Sequence, residues 1–275
     1  ATAISFNYSK SITVADTVAG SGVDLEISSI IRDGRSSGQT LTKAGAGTLR
    51  LSGNNTSLAM WTISAGTLEI GAAGRLTSGN YAANITNNGA FIYSGTNNQI
   101  LSGVISGSGA LTQNASSTLT LSGANTYSGG TTINAGTLTT STATGLGNGT
   151  VAVNGGALTI NYGSAGFTFT NNLTGNGTVN LTAANAGSLT IPVFKPVSMS
   201  GFTGTVTMDT GFNNIYYQLC VNSGSTFDGS SAKWVVNNQN ANSFVFTDAS
   251  LVKFGELSGN GKVGAKNSAG STLEV

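Results

Sequence analysis

Asp209, Asp228 and Asp248 recur at spacings of 19 and 20 residues, each following an apolar alternation. That interval suits one carboxylate per turn of a coiled backbone, either as Ca2+ ligands or as the acidic cleft of a polysaccharide-cleaving enzyme. The plainer reading is Asp in its common role as a turn former. Asp24 and Glu26 stand two residues apart and so share a strand face, with Arg32, Asp33 and Arg35 close behind. Such a pair suits glycoside hydrolysis or Ca2+ binding, against the alternative of a solvated ion-pair cluster. Tyr216, Tyr217 and Trp234 form a possible ligand platform for sugar rings, or part of a core.

Other chemistry is excluded by residue type. The chain contains no histidine, so a Ser-His-Asp triad and histidine-based zinc sites are out. Cys220 is the single cysteine; it builds neither a disulfide nor a thiolate metal site, and its apolar surroundings read as core. Between Arg75 and Lys195 lie 119 consecutive residues with no Asp, Glu, Lys, Arg or His, hence no ordinary general acid or base. Gly145-Leu146-Gly147-Asn148-Gly149 lacks the Gly-Lys-Ser/Thr that completes a phosphate loop. No catalytic residue is assigned. No cofactor is expected, Ca2+ being the one candidate ion.

Composition narrows the class. Charged residues make up 8% of the chain and the net charge is +1, with no basic cluster of the kind nucleic-acid binding requires. No apolar run reaches the ~18 residues of a membrane-spanning helix. Forty glycines against two prolines, with abundant Thr, Ser, Asn and Val, describe short strands divided by tight turns.

The strands repeat. Residues 47–68 and 117–138 align without a gap, 70 residues apart, with 13 of 22 positions identical. Leu49 and Leu51 flank Arg50, and Leu119 and Leu121 flank Thr120. Residues at i and i+2 share a face, so the leucines point inward and Arg50 and Thr120 outward. Strands of three to five residues separated by one or two turn residues suit a coil whose turns pair with those above and below. At roughly 20–25 residues per rung, a 70-residue period is roughly three rungs, and the chain holds roughly 12.

The run from Ser117 to Leu138, STLTLSGANTYSGGTTINAGTL, closely resembles the passenger-associated repeat of bacterial autotransporters. The copy at 47–68 is degenerate, with Leu58-Ala59-Met60-Trp61 in place of Ser128-Gly129-Gly130-Thr131. The resemblance implies an all-β fold, a right-handed parallel β-helix (β-solenoid), exported to the extracellular or bacterial cell surface. It specifies architecture and leaves activity open, since related passengers include adhesins, aggregation factors, toxins and hydrolases. The membrane β-barrel expected after such a passenger is not in this sequence, which reads as a fragment or as a free secreted form.

A single solenoid domain is expected over 1–275: N-terminal rungs or a cap over 1–40, regular repeats over 41–191, decorated rungs over 192–250 and a C-terminal repeat over 251–275. Strand-like Ile4, Phe6 and Tyr8 at one end, and Leu273 and Val275 at the other, are the candidate assembly residues. They suit head-to-tail stacking of copies, a contact that does not close and so builds a filament. The expected function is a non-enzymatic, self-associating surface scaffold or fibre subunit. The alternatives are an adhesin binding host or cell-surface glycans, and a β-helix polysaccharide lyase or hydrolase. A second copy of the chain is the expected partner; nucleic acid is not.

Overall fold

Short alternating segments cannot bury their apolar face alone; they must stack, each on an equivalent segment one turn away. The computed structural model of the chain shows this arrangement. It describes residues 3–17, 22–33, 38–162, 167–182, 193–210, 216–219, 226–238, 244–247, 251–261, 263–265 and 272–274. Strands dominate the described residues, and every strand pairing given by register is parallel. The fold is the expected all-β parallel β-solenoid. The figure of roughly 12 rungs is not established by these registers. No described helix is long and apolar enough to cross a membrane.

The chain divides into two compact units, one comprising Ala1–Leu138 with Thr144–Gly149, the other Thr139–Ala143 with Thr150–Val275. In the first unit, Lys10–Thr13, Thr40–Ala44, Met60–Ile63, Ile85–Asn87 and Ile105–Ser106 form one sheet. Its inward column runs Leu41, Trp61, Ile85, Ile105. A second column runs Leu25, Leu49, Leu68, Phe91, Leu111. A third face pairs Tyr81 with Leu101 and Gln99 with Leu119.

These registers revise the meaning of the sequence repeat. Three turns carry the chain from Leu41 to Ile105. Position 111, the repeat equivalent of 41, therefore falls on the next face, in the column of Leu49 and Leu68. Seventy residues are three turns plus one face, not three turns. The repeat encodes strand, corner, strand, and the first unit uses that corner at two different faces.

In the second unit, one column runs Leu158, Val179, Val206, Trp234, Leu257. Another sheet joins Thr168–Phe169, Val193–Phe194, Tyr216–Leu219, Phe244–Thr247 and Val263–Ala265. Phe169 stacks on Phe194 at 5.5 Å, and Phe194, Phe227 and Phe254 meet Trp234 edge-on at 5.1–6.3 Å. This aromatic core fills rungs longer than the one before them: Val206 to Trp234 is a single step of register, as is the shorter Leu158 to Val179.

Corners need glycine where one rung sits on the carbonyls of the rung below. A Cβ on Gly136, whose φ is 63°, would lie 2.0 Å from the Ala115 carbonyl oxygen and 2.4 Å from that of Ser117. At Gly201 a Cβ would meet only the flexible Thr174 side chain, at 3.1 Å. Gly136→Ala is expected to cost about 2–4 kcal/mol and Gly201→Ala less than about 1, measured by urea denaturation.

Candidate functional site

The candidate site is the face made by Ala3–Phe6, Lys10–Thr13 and Leu25–Ile27. Among the described residues these strands are in register with Ile30–Asp33, Thr40–Ala44 and Thr48–Leu51 respectively. Exposure follows directly. Ile4 is 36% exposed while Ile31, next in its column, is 1% exposed; Leu25 is 40% exposed while Leu49 is 0% exposed. Ile4 and Leu25 are thus wet where their column neighbours are dry, whereas Val14 on the same rung is buried. Of the other proposed assembly residues, Tyr8 is 74% exposed and Phe6 is partly exposed. Leu273 lies in the strand Thr272–Glu274, in register with Val252, and Val275 lies outside the described residues.

Charge is laid out along the same edge. Outward Glu26, Arg50 and Glu69 occupy one register column. The Arg50 guanidinium donates through two nitrogens to Glu69, at 3.1 and 3.2 Å, and the Ser94 hydroxyl also donates to Glu69. Glu26 accepts from the Ser52 hydroxyl at 2.5 Å and has no ion pair among the described residues. Asp24 accepts from the Thr17 amide, the Thr17 hydroxyl and the Thr48 amide, at 2.7, 3.1 and 2.9 Å. Asp33 accepts from the Ser57 hydroxyl and the Leu58 amide, and Arg32 donates to Ser5. Asp24 and Glu26 thus take separate sets of donors. This N-terminal charge cluster serves as a set of staples between turns; Arg35 lies outside the described residues.

The carboxylate series of the second unit does not assemble. Asp209 is in register with Thr182 and Asn237, whereas Asp228 is in register with Lys253, so the two stand in different columns. The interval of 19 residues is shorter than the local rung, which advances from 206 to 234, and so ends on another face. Asp228 accepts from the Ser230 hydroxyl at 2.6 Å and amide at 3.0 Å, the turn-forming role, and these bonds hold its carboxyl below the usual range. Asp248 lies outside the described residues, and among the described residues no cluster of three or more His, Cys, Asp or Glu is placed to hold a metal. Trp234 is not available as a ligand platform. It is fully buried, and its indole N–H donates to the Gly229 carbonyl at 2.9 Å. The side chains of Tyr216 and Tyr217, and all of Cys220, lie outside what is described.

Sequence reasoning missed the buried polar residues at corners. Lys43 is 0% exposed, and its ammonium donates to the carbonyls of Ala44, Gly45 and Ala65, at 3.1, 2.8 and 3.1 Å. Gln113, its repeat equivalent, is equally buried and donates to the carbonyls of Ala115 and Ser117, at 2.9 and 2.8 Å. Ala115 is the equivalent of Gly45, so both repeats send a buried donor to the same corner carbonyl. Asn55 and Asn125, another equivalent pair, accept from the amides of Ile31 and Ile105, at 2.9 and 2.7 Å. The signal was present in the alternation: position 43 shares the face of Leu41, and 113 that of Leu111.

Burial lowers the pKa of Lys43, partly offset by Asp24. The folded chain therefore holds this proton less tightly than the unfolded chain. Stability contributed by Lys43 rises as pH climbs toward the ordinary value of 10.5, because unfolding takes up a proton in that interval. In urea titrations wild type should gain stability relative to Lys43→Gln as pH rises from neutral toward 10.5. Lys43→Gln, which copies the other repeat, should cost less than about 1 kcal/mol at neutral pH, and Lys43→Met about 2–4 through orphaned carbonyls.

The passenger-associated-transport-repeat model matches the chain twice, at residues 41–70 and 111–139. No curated protein and no solved structure matches it. Both matched segments are the strand–corner–strand units that carry Lys43 and Gln113, and the chain thus bears two passenger-associated-transport-repeats, the repeat of autotransporter passengers, within a parallel β-solenoid.

Proposed function

We propose that the chain is an exported, non-enzymatic surface scaffold that joins copies end to end by adding a strand layer at the Ala3–Phe6, Lys10–Thr13, Leu25–Ile27 edge. The passenger repeats support export and a structural role. The observation that carries the joining is the exposure of Ile4 and Leu25 in columns that are otherwise dry. Covering each recovers about 1–2 kcal/mol of apolar transfer, and the added rung pairs open backbone groups. The second copy supplies Thr272–Glu274, whose register places Leu273 beside buried Val252.

Light scattering across a concentration series, run at about pH 4.5 and about pH 7.5, together with electron microscopy, tests this reading. Wild type should form linear higher-order species in at least one condition. Ile4→Lys and Leu25→Lys, which place charge on the edge, should weaken joining at least about tenfold while keeping the far-ultraviolet spectrum of the parent. Wild type that stays monomeric throughout would refute it.

A further inference from the structure

The sequence holds five Asn-Gly steps: Asn88-Gly89, Asn148-Gly149, Asn154-Gly155, Asn176-Gly177 and Asn260-Gly261. Such a step is able to modify itself. The glycine main-chain nitrogen attacks the asparagine Cγ, the new C–N bond closes a cyclic imide, and the side-chain nitrogen leaves as ammonia, taking up the proton that the attacking amide releases. Water then opens the imide to aspartate or isoaspartate. Glycine permits this because no Cβ obstructs the approach. The solenoid decides which steps react, because an amide already donating to an oxygen must first give up that bond.

Two of the steps are locked alike. Leu173-Thr174-Gly175-Asn176-Gly177 and Leu257-Ser258-Gly259-Asn260-Gly261 share a corner whose first glycine is left-handed, at φ 97° and 103°. The second glycine donates its amide to the neighbouring rung, Gly177 to the Val153 carbonyl and Gly261 to the Val236 carbonyl, both at 2.7 Å. The steps of the first unit are restrained too. The Gly89 amide donates to Asn87 Oδ1 at 3.2 Å, and Asn148 Nδ2 donates to the Thr126 carbonyl at 3.4 Å.

Asn154-Gly155 is built differently. Val153 is in register with Gly175 and Ala157 with Thr178, so residues 154–156 span the interval that 176–177 span on the next rung. This corner carries one residue more than the corner stacked on it. Its two ends are pinned, Val153 accepting from the Gly177 amide and Gly156 from the Thr178 amide, at 2.7 and 3.1 Å. The surplus falls on Gly155, which is exposed together with Asn154 and, among the described residues, donates to no carbonyl of a neighbouring rung.

We infer that Asn154-Gly155 is a self-modification site, which converts to a carboxylate in the folded chain while Asn176 and Asn260 are held back. The product is the first charge in the 119 residues between Arg75 and Lys195. Isoaspartate also lengthens the main chain by one carbon. A corner with a residue to spare absorbs this without shifting the registers of Val153 and Ala157. At Asn176 or Asn260 the same lengthening would pull the second glycine off its valine carbonyl. Conversion at Asn154 therefore charges the outer face and leaves the stack in place, whether or not copies join end to end.

Ageing the full chain in mildly alkaline buffer, with a parallel sample in urea, tests this. Both samples are digested, and mass spectrometry assigns ammonia loss and isoaspartate to each asparagine. In the folded chain Asn154 should convert at least about three- to tenfold faster than Asn176 and Asn260, the range that one main-chain hydrogen bond supports. In urea the three rates should converge. Gly155→Ala, which sets a methyl group beside the attacking nitrogen, should slow Asn154 and leave Asn176 and Asn260 unchanged. The aged folded chain should keep the far-ultraviolet spectrum of the fresh one. Equal rates at the three sites in the folded chain, or conversion of Asn154 in urea alone, would overturn the inference.

Discussion

A solenoid column is driest where a rung lies on both sides of it. Leu49, Leu68, Phe91 and Leu111 are all 0% exposed, whereas Leu25, the same kind of residue in the same column, is 40% exposed. Burial here is a property of neighbours along the stack, not of the residue. Stability is accordingly a sum of rung-to-rung terms, and each rung depends on parallel pairing to the next. The low charge content fits that logic, because the outward columns need only hydroxyls, amides and a few staples to be hydrated and held in register.

Corners carry the second requirement. A strand that turns leaves carbonyls aimed inward or at the next rung, and an unpaired buried carbonyl is costly. Lys43, Gln113, Asn55 and Asn125 supply donors and acceptors from inside. Gly66 and Gly136 let the rung above settle onto the corner without a clash. Lysine and glutamine serve one position equally because the requirement is a long chain ending in a donor. The three donors of the ammonium meet three carbonyls, and the amide meets two. A corner solved in this way fits any face of the coil, which explains how two matching repeats come to lie on different faces.

The inward face was legible wherever alternation involved aliphatic residues: Leu49, Leu51, Leu119 and Leu121 are all buried as the pattern requires. The same alternation puts Lys43 and Gln113 on the inward face, and only the carbonyl geometry shows why their burial is tolerated. Register over long distances was not legible. It depends on the length of each rung, and that length changes along the chain: Leu49 to Leu68 is one step, and so is Val206 to Trp234. An interval that marks a column in one unit therefore marks a change of face in the other, which is why Asp209 and Asp228 do not share a column. Trp234 was read ambiguously for a related reason. Large aromatics suit either a surface platform or the wider cross-section of a long rung, and the ring contacts with Phe194, Phe227 and Phe254 decide for the latter.

Inward columns of leucine, isoleucine and valine are generic. Any rung of similar width would continue them, so they drive association without choosing a partner. Choice must reside in the outward columns, where residues meet at fixed register and charge can be matched or opposed. The bidentate Arg50–Glu69 pair shows the matched case within the molecule. Glu26, one rung away and without an ion pair among the described residues, is where the same column meets an exposed strand edge. An edge of this kind needs a device against indiscriminate pairing, and charge on its strands is the usual one. Leu25 and Glu26 are adjacent parts of one strand, the first in the apolar column of Leu49 and the second in the charged column of Arg50.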